Sequence, residues 1–293
     1  MDLIASLASV IAPVVLISLF GYAWARRGYA FDHAFVTRLI TVIGAPCLVF
    51  STLTRMRFPA ADLAAMGGAT LASLILFAAV GIAALRLARL PIRVYLPSLM
   101  FPNNGNMGLP VCLFAFGEKG LGFAMIYFAI ASVGQFTLGP AIAMGRFRPS
   151  LLLKVPFLYA VLLALAVRRS GWAVPAWADN TVTLLAGFTI PLMLLALGAA
   201  LADMKVSGIR RALPLSAGRI VLGLAGGWAV AGLFGLTGAA RGALVIQSGM
   251  PVAVFNYLFA RLYGNQPEEV ASTVLLSTLL SYLTLPVVVA ALL

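Results

Sequence analysis

The sequence predicts an all-α polytopic membrane protein: ten transmembrane helices in two inverted five-helix repeats, with helices 4 and 9 broken at mid-depth. Three observations predict it. Of the 293 residues, 62% are hydrophobic and only 10% are charged, and a mean hydropathy of +1.06 is far from the balance of a soluble domain. Apolar stretches near the ~20 residues that cross a bilayer recur along the chain, separated by short loops of Arg, Gly and Pro. Prolines with similar apolar flanks recur at a near-constant offset, which marks a duplicated unit.

Apolar windows and their punctuation place the spans at about 3–25, 34–54, 62–85, 94–116, 120–143, 150–167, 178–202, 212–234, 239–262 and 269–292. The first reads as a retained span rather than a signal peptide, because it lacks a basic start and runs directly into Arg26 and Arg27. Ten crossings return both termini to one side. The loops on the opposite side hold Arg26 and Arg27; then Arg86, Arg89 and Arg93; then Arg146, Arg148 and Lys154; then Lys205, Arg210 and Arg211. Alternate loops are poorer, with Arg55 and Arg57, Lys119, Arg168 and Arg169, and Arg241. The rich side is expected to be cytoplasmic, with both termini outside.

The formal charge of +12 is dispersed over these loops rather than gathered in a stripe with stacking aromatics. Lipid headgroups are therefore the expected partners, and nucleic acid is not. Cys47 and Cys112 sit singly inside apolar spans, so no disulfide, metal or cofactor is expected. Trp172 and Trp177, beside a predicted outer loop, read as interface anchors.

The duplication rests on three pairs. "APCLVF" around Pro46 matches "IPLMLL" around Pro191, an offset of 145; "LPVCLF" at Pro110 matches "MPVAVF" at Pro251, an offset of 141; "LGP" at Pro140 matches "TLP" at Pro286, an offset of 146. Each unit holds five spans, and an odd number forces the second copy to enter the membrane upside down. Inverted repeats are a transporter architecture.

Span 4 carries "FPNNGNMGLP" at 101–110 and its partner, span 9, carries "QSGMP" at 247–251. Pro102, Pro110 and Pro251 lack the amide that continues a helix, and Gly105, Gly108 and Gly249 loosen the backbone, so these segments are the expected hinges. Freed backbone groups in hydrocarbon each cost several kcal/mol, which forces the breaks to face protein or a water-filled cavity. Half-helices beginning near Pro110 and Pro251 aim unpaired amides at the midplane, a setting that favours an anion. Asn103, Asn104, Asn106, Gln247 and the adjacent Ser248 are the candidate substrate contacts, the alternative being that one or two of the amides only cap the breaks.

"NNGNMGLP", then "SGMPVAVFNYLFARLYGNQPEEVAS" with "STLLSYLTLP" behind it, resembles the auxin efflux carrier family, which includes bacterial permeases for dicarboxylates such as malonate and malate. The likeness covers the chain and is strongest in spans 4, 9 and 10. It implies that spans 4 and 9 cross at Pro110 and Pro251, with Asn103 at the family's crossover asparagine. It also implies a fold related to the bile-acid sodium symporters and a bacterial inner-membrane location. The units it implies are scaffold helices 1 and 2 (1–58), transport-unit helices 3 to 5 (59–148), scaffold helices 6 and 7 (149–206) and transport-unit helices 8 to 10 (207–293). Two departures stand out. The long cytoplasmic loop of the plant exporters is absent, and Val252 follows the second proline where plant members tend to carry glutamine, so plant-hormone specificity is not supported.

The eight acidic residues, Asp2, Asp32, Asp62, Glu118, Asp179, Asp203, Glu268 and Glu269, fall at span ends or in loops, none beside a break. The intramembrane carboxylates that hold a coupling cation in related architectures are thus not visible. Arg219 lies about nine residues into span 8, roughly 13 Å from its start. It is a candidate for substrate contact, against a side chain that snorkels or bonds a loose carbonyl of the neighbouring break. His33 reads as a solvated loop residue, and Ser272, Thr273, Ser277, Thr278 and Ser281 read as hydroxyls that knit span 10 to its neighbours. One loop histidine without a buried carboxylate offers no catalytic machinery. The expected function is a secondary transporter moving a small organic anion by alternating access, by uniport or efflux. Proton- or sodium-coupled dicarboxylate uptake is the alternative, an anion channel the alternative of a different class, and a homodimer the assembly entertained.

Overall fold

The computed structural model describes residues 3–55, 58–147, 149–205 and 207–293. Asp2, Arg57 and Arg148 lie outside them. Among the described residues the fold is all-helical, with a single isolated antiparallel bridge between Pro102 and Val252. The helices are α1 (Leu3–Arg26), α2 (His33–Leu39), α3 (Ala45–Arg55), α4 (Ala60–Leu87), α5 (Ile92–Met100), α6 (Leu109–Met144), α7 (Pro156–Ser170), α8 (Ala176–Gly187), α9 (Thr189–Asp203), α10 (Ile209–Leu233), α11 (Gly238–Gly249), α12 (Val254–Tyr263) and α13 (Pro267–Leu292).

Among the described residues seven helical runs are long and apolar enough to cross a membrane: Leu7–Arg26, His33–Arg55, Ala60–Leu87, Asn104–Met144, Ala176–Asp203, Ile209–Leu233 and Pro267–Leu292. Large apolar side chains point outward along them, Phe20, Ile75, Leu184, Leu283 and Val287 among them, as a hydrocarbon solvent requires. The sequence predicts ten spans, and the difference has local causes. Predicted span 6 is the 15-residue α7, preceded by a short 3₁₀ turn at Pro149–Lys154. Predicted spans 4 and 9 are divided into pieces too short to count, and the run Asn104–Met144 is 41 residues long, about twice a bilayer's requirement. Within that run Gly117 has φ 61° and ψ −157°, a backbone that only glycine adopts readily, so two rods, 109–116 and 118–144, meet there at an angle.

Prolines set the helix irregularities. Pro46 has no amide to give the preceding turn; Ala45 N–H bonds Ile40 O instead, and Ile40–Gly44 widens into a π-type turn between α2 and α3. The same thing happens ahead of Pro110, where Leu109 N–H bonds Asn104 O and Asn104–Gly108 forms the wide turn leading into α6. The actual helix breaks follow the rule that a residue before proline is pushed to extended backbone. Phe101, before Pro102, has φ −108° and ψ 106°, and Met250, before Pro251, has φ −61° and ψ 150°. Pro110 therefore sits in the first turn of α6, and the break in the first half is centred on Pro102.

The helices pack most extensively in two groups: α1 on α9 and α3 on α7 and α8; α10 on α4, α11 and α13, with α11 on α6. The α1–α9 contact brings backbones together, since a Cβ at Gly198 would lie 1.8 Å from Ser18 O.

Candidate site at the paired helix breaks

The extended segments of the two breaks lie side by side. Asn103 N–H donates to Pro251 O at 2.7 Å, and Ala253 N–H donates to Phe101 O at 3.2 Å. Val252 N–H, which faces away from that pair, donates to Ser277 Oγ on α13 at 3.0 Å. Asn256 Nδ2 donates to Pro97 O and Phe101 O at 3.0 and 3.2 Å, holding α12 to the end of α5. Backbone groups that two interrupted helices would leave bare are thus satisfied by each other and by side chains from α12 and α13.

Arg219 completes this arrangement from behind. It is fully buried on α10, its Nη1 donating to Leu99 O at 2.7 Å, Nη2 to Ser248 O and Nε to Met250 O at 3.4 Å, with the guanidinium 4.8 Å from the centre of the Phe77 ring. Leu99 lies in the last turn of α5 and Ser248 in the last turn of α11, so one guanidinium caps the carbonyl ends of both half-helices, the negative poles of their dipoles. Of the two sequence-level alternatives for Arg219, the structure draws the one in which it bonds the loose carbonyls of the neighbouring break.

Beside the first break a cavity of about 160 Å³ opens. Asn103, Asn104, Gly105 and Asn106 form one wall, α12 from Ala253 to Arg261 a second, and α6, α7, α2 and α9 the rest. Two of the lining residues carry amide nitrogens without a partner among the described residues: Asn103 Nδ2 and Gln135 Nε2, both buried. Gln135 was not among the sequence candidates, although it is the only amide side chain in the predicted fifth span. Phe128, Phe136, Phe157 and Phe255 supply apolar walls, and Phe136 meets Phe157, Phe255 and Phe259. At the rim His33 Nε2 pairs with Asp203 Oδ2 at 2.8 Å, and the exposed Arg261 faces the same mouth. The sequence suggests a solvated loop residue, but His33 is only partly exposed, starts α2 and is tied to α9.

The other sequence candidates fall elsewhere. Gln247 and Ser248 are buried on α11 behind the break: Gln247 Nε2 donates to Ala124 O at 3.2 Å, and Ser248 Oγ lies 3.5 Å from Tyr127 Oη. Gly108 lets Gln247 approach, since a Cβ there would lie 2.1 Å from Gln247 Oε1. Gly249 ends α11, and Pro251 lies in the paired segment. The hydroxyls of α13 do join elements, with Ser272 accepting from Ser207 N–H and Ser277 from Val252 N–H. No group of three or more metal-ligating side chains exists among the described residues.

Interrupted helices that pair beside a polar-lined cavity, in a multi-pass helical protein, are an arrangement found in membrane transport proteins. Residues 140–289 match the model of the family described as membrane transport protein, slightly more than half of the chain. The chain belongs to that family, the auxin efflux carrier family that its motifs resemble, and is a transport protein rather than an enzyme. It is also 26% identical over 197 residues to an uncharacterized transporter of Methanocaldococcus jannaschii, and the match spans 64% of this chain and 64% of that relative.

Proposed function

We propose that the protein is a secondary transporter that carries a small organic anion by alternating access, with the anion's carboxylate held at the first break. The observation that carries this is a pair of buried amide donors without a partner among the described residues, Asn103 Nδ2 and Gln135 Nε2, on two residues that line one cavity. A buried donor without a partner costs free energy unless a ligand or water accepts from it, and a carboxylate accepts from two donors at once. The acidic groups that would repel an anion stay at the rim, where Asp203 is engaged by His33. Aromatic walls around this floor suit a carboxylate with an apolar body better than a compact dianion such as malonate.

The ten-span inverted repeat is part of the same proposal. Dividing Asn104–Met144 at Gly117, and counting α7 and the α11–α12 pair as spans, turns the seven long runs into ten. The hydrogen bonds between the breaks support a local two-fold relation, because exchanging 101 and 103 with 251 and 253 leaves their pattern unchanged. That register pairs Pro102 with Val252, an offset of 150 instead of the 141 that aligns Pro110 with Pro251. Spans 2 and 7 meet in a comparable way, with Gly44 in the π-type turn against Thr189 at the α8–α9 junction.

The cavity lies between elements of the two units: α2, α7 and α9 on one side, the first break, α6 and α12 on the other. A site at such a boundary suits an elevator-like motion of 59–148 and 207–293 against 1–58 and 149–206. On the topology expected from the loop arginines, the mouth at His33, Asp203 and Arg261 faces the cytoplasm. Binding of a panel of monocarboxylates and dicarboxylates to purified protein, followed by thermal shift, tests the proposal. Stabilisation by monocarboxylates that is reduced in Asn103→Ala and Gln135→Ala is expected; stabilisation by none of the acids contradicts it.

A further inference from the structure

We infer that Arg219 is a moving charge: its guanidinium travels with the paired breaks, so the empty carrier takes one positive charge through the membrane field and the carrier loaded with a monoanion takes none. The inference rests on the alternating-access function proposed above and adds which step of the cycle feels the membrane potential.

Four observations carry it. Arg219 is fully buried, and its three nitrogens are bonded to carbonyls of α5, α11 and the second break. Its own helix cannot slide past α11, because the backbones touch: a Cβ at Gly223 would lie 2.1 Å from Ser248 O, and one at Gly227 would lie 2.9 Å from Ser248 Cβ. All its contacts, Phe77, Leu99, Ser248 and Met250, fall within the unit proposed to move. Finally, the ion pairs among the described residues join His33 to Asp203, Arg55 to Asp179 and Arg211 to Glu269, and none of them involves Arg219.

A guanidinium stays protonated at any physiological pH, so the charge is permanent. The half-helix carbonyls stabilise it locally, but a helix dipole has two ends and no net charge. Translating the unit therefore displaces the full unit charge of Arg219. A bound monoanion cancels that displacement. The return of the empty carrier toward a negative interior is then the step that voltage drives, by up to about 50-fold per 100 mV if the charge crosses the whole field. Equilibrium exchange of labelled for unlabelled substrate, in which the carrier is loaded in both directions, is insensitive to voltage.

The test is a voltage-step measurement on membranes holding the protein with no substrate present. A saturable, transient charge displacement is expected from the wild type and from R219K, which keeps the charge, and is expected to vanish in R219Q of normal thermal stability. No displacement in the wild type, or an undiminished one in folded R219Q, overturns the inference. Should R219Q fail to fold, wild-type fluxes decide: net flux that follows the potential with exchange that ignores it supports the inference, and exchange that follows the potential overturns it. Failure of the transport proposal is separable, since substrate-free displacement is read without any anion, and anion flux without displacement removes only the moving charge.

Discussion

Asn103 and Gln135 both line the cavity, and each carries a buried amide nitrogen that nothing among the described residues accepts from. Hydrogen bonds to a charged group contribute about 1.5–3 kcal/mol, so Asn103→Ala or Gln135→Ala is expected to weaken binding of a recognised carboxylate roughly 10- to 150-fold with the fold intact. Titration calorimetry on each variant checks this, and unchanged affinity in both contradicts the assignment. Asn103 was legible in the sequence because prolines and glycines surround it; Gln135 was not, because a lone amide in an apolar helix carries no local pattern. Its only signal was isolation. The burial of Gln247 behind the break was equally hidden, since it depends on Gly108 from a distant segment. Gly108→Ala must push Gln247 off its seat, which is expected to cost about 1–3 kcal/mol and to lower the melting temperature. A melting temperature equal to that of the wild type would refute that contact.

The helix breaks were readable as such, since both halves concentrate proline and glycine within an apolar run, but their register was not. Two prolines eight positions apart compete for the first break, Pro102 and Pro110, and sequence similarity to "GMPV" favours the second. Backbone chemistry decides otherwise. Pro110, like Pro46, only widens the turn before it, whereas Pro102 forces Phe101 into the extended conformation that pairs with the other break. The cross-link from α13 is the element contact most open to test. Ser277→Ala leaves Val252 N–H buried without an acceptor, and a loss of about 1–3 kcal/mol is expected, with partial recovery in Ser277→Thr. Thermal unfolding in detergent reads both variants; equal stability of the alanine variant would mean that water or another group satisfies the amide.

Composition alone made the multi-pass helical architecture legible, because no other solvent than hydrocarbon accommodates 62% hydrophobic residues with 10% charged ones. Counting the spans was harder: the sequence separates 94–116 from 120–143 at Glu118 and Lys119, whereas α6 runs through both as one helix interrupted only by the backbone of Gly117. The proposed orientation rests on the loop arginines. In a variant lacking Cys47 and Cys112, single cysteines at Arg27 and Arg89 are expected to resist an impermeant thiol reagent in intact cells, while one at Asp179 reacts. The reverse pattern would turn the molecule over and make the cavity mouth external.

Transport of an organic anion through the paired breaks is tested most directly in proteoliposomes loaded with a labelled monocarboxylate that stabilises the purified protein. With no carboxylate adjacent in sequence to either break, and with Asp203 of the cavity lining paired with His33, an inside-negative potential of 100 mV set by potassium and valinomycin should favour outward movement of a monoanion by about 2.3 kcal/mol. Efflux that accelerates with that potential, ignores imposed sodium and pH gradients, saturates with substrate and falls in Asn103→Ala is the predicted result. Flux that ignores the potential and follows a sodium or proton gradient, or conductance in discrete single-channel steps, would contradict it.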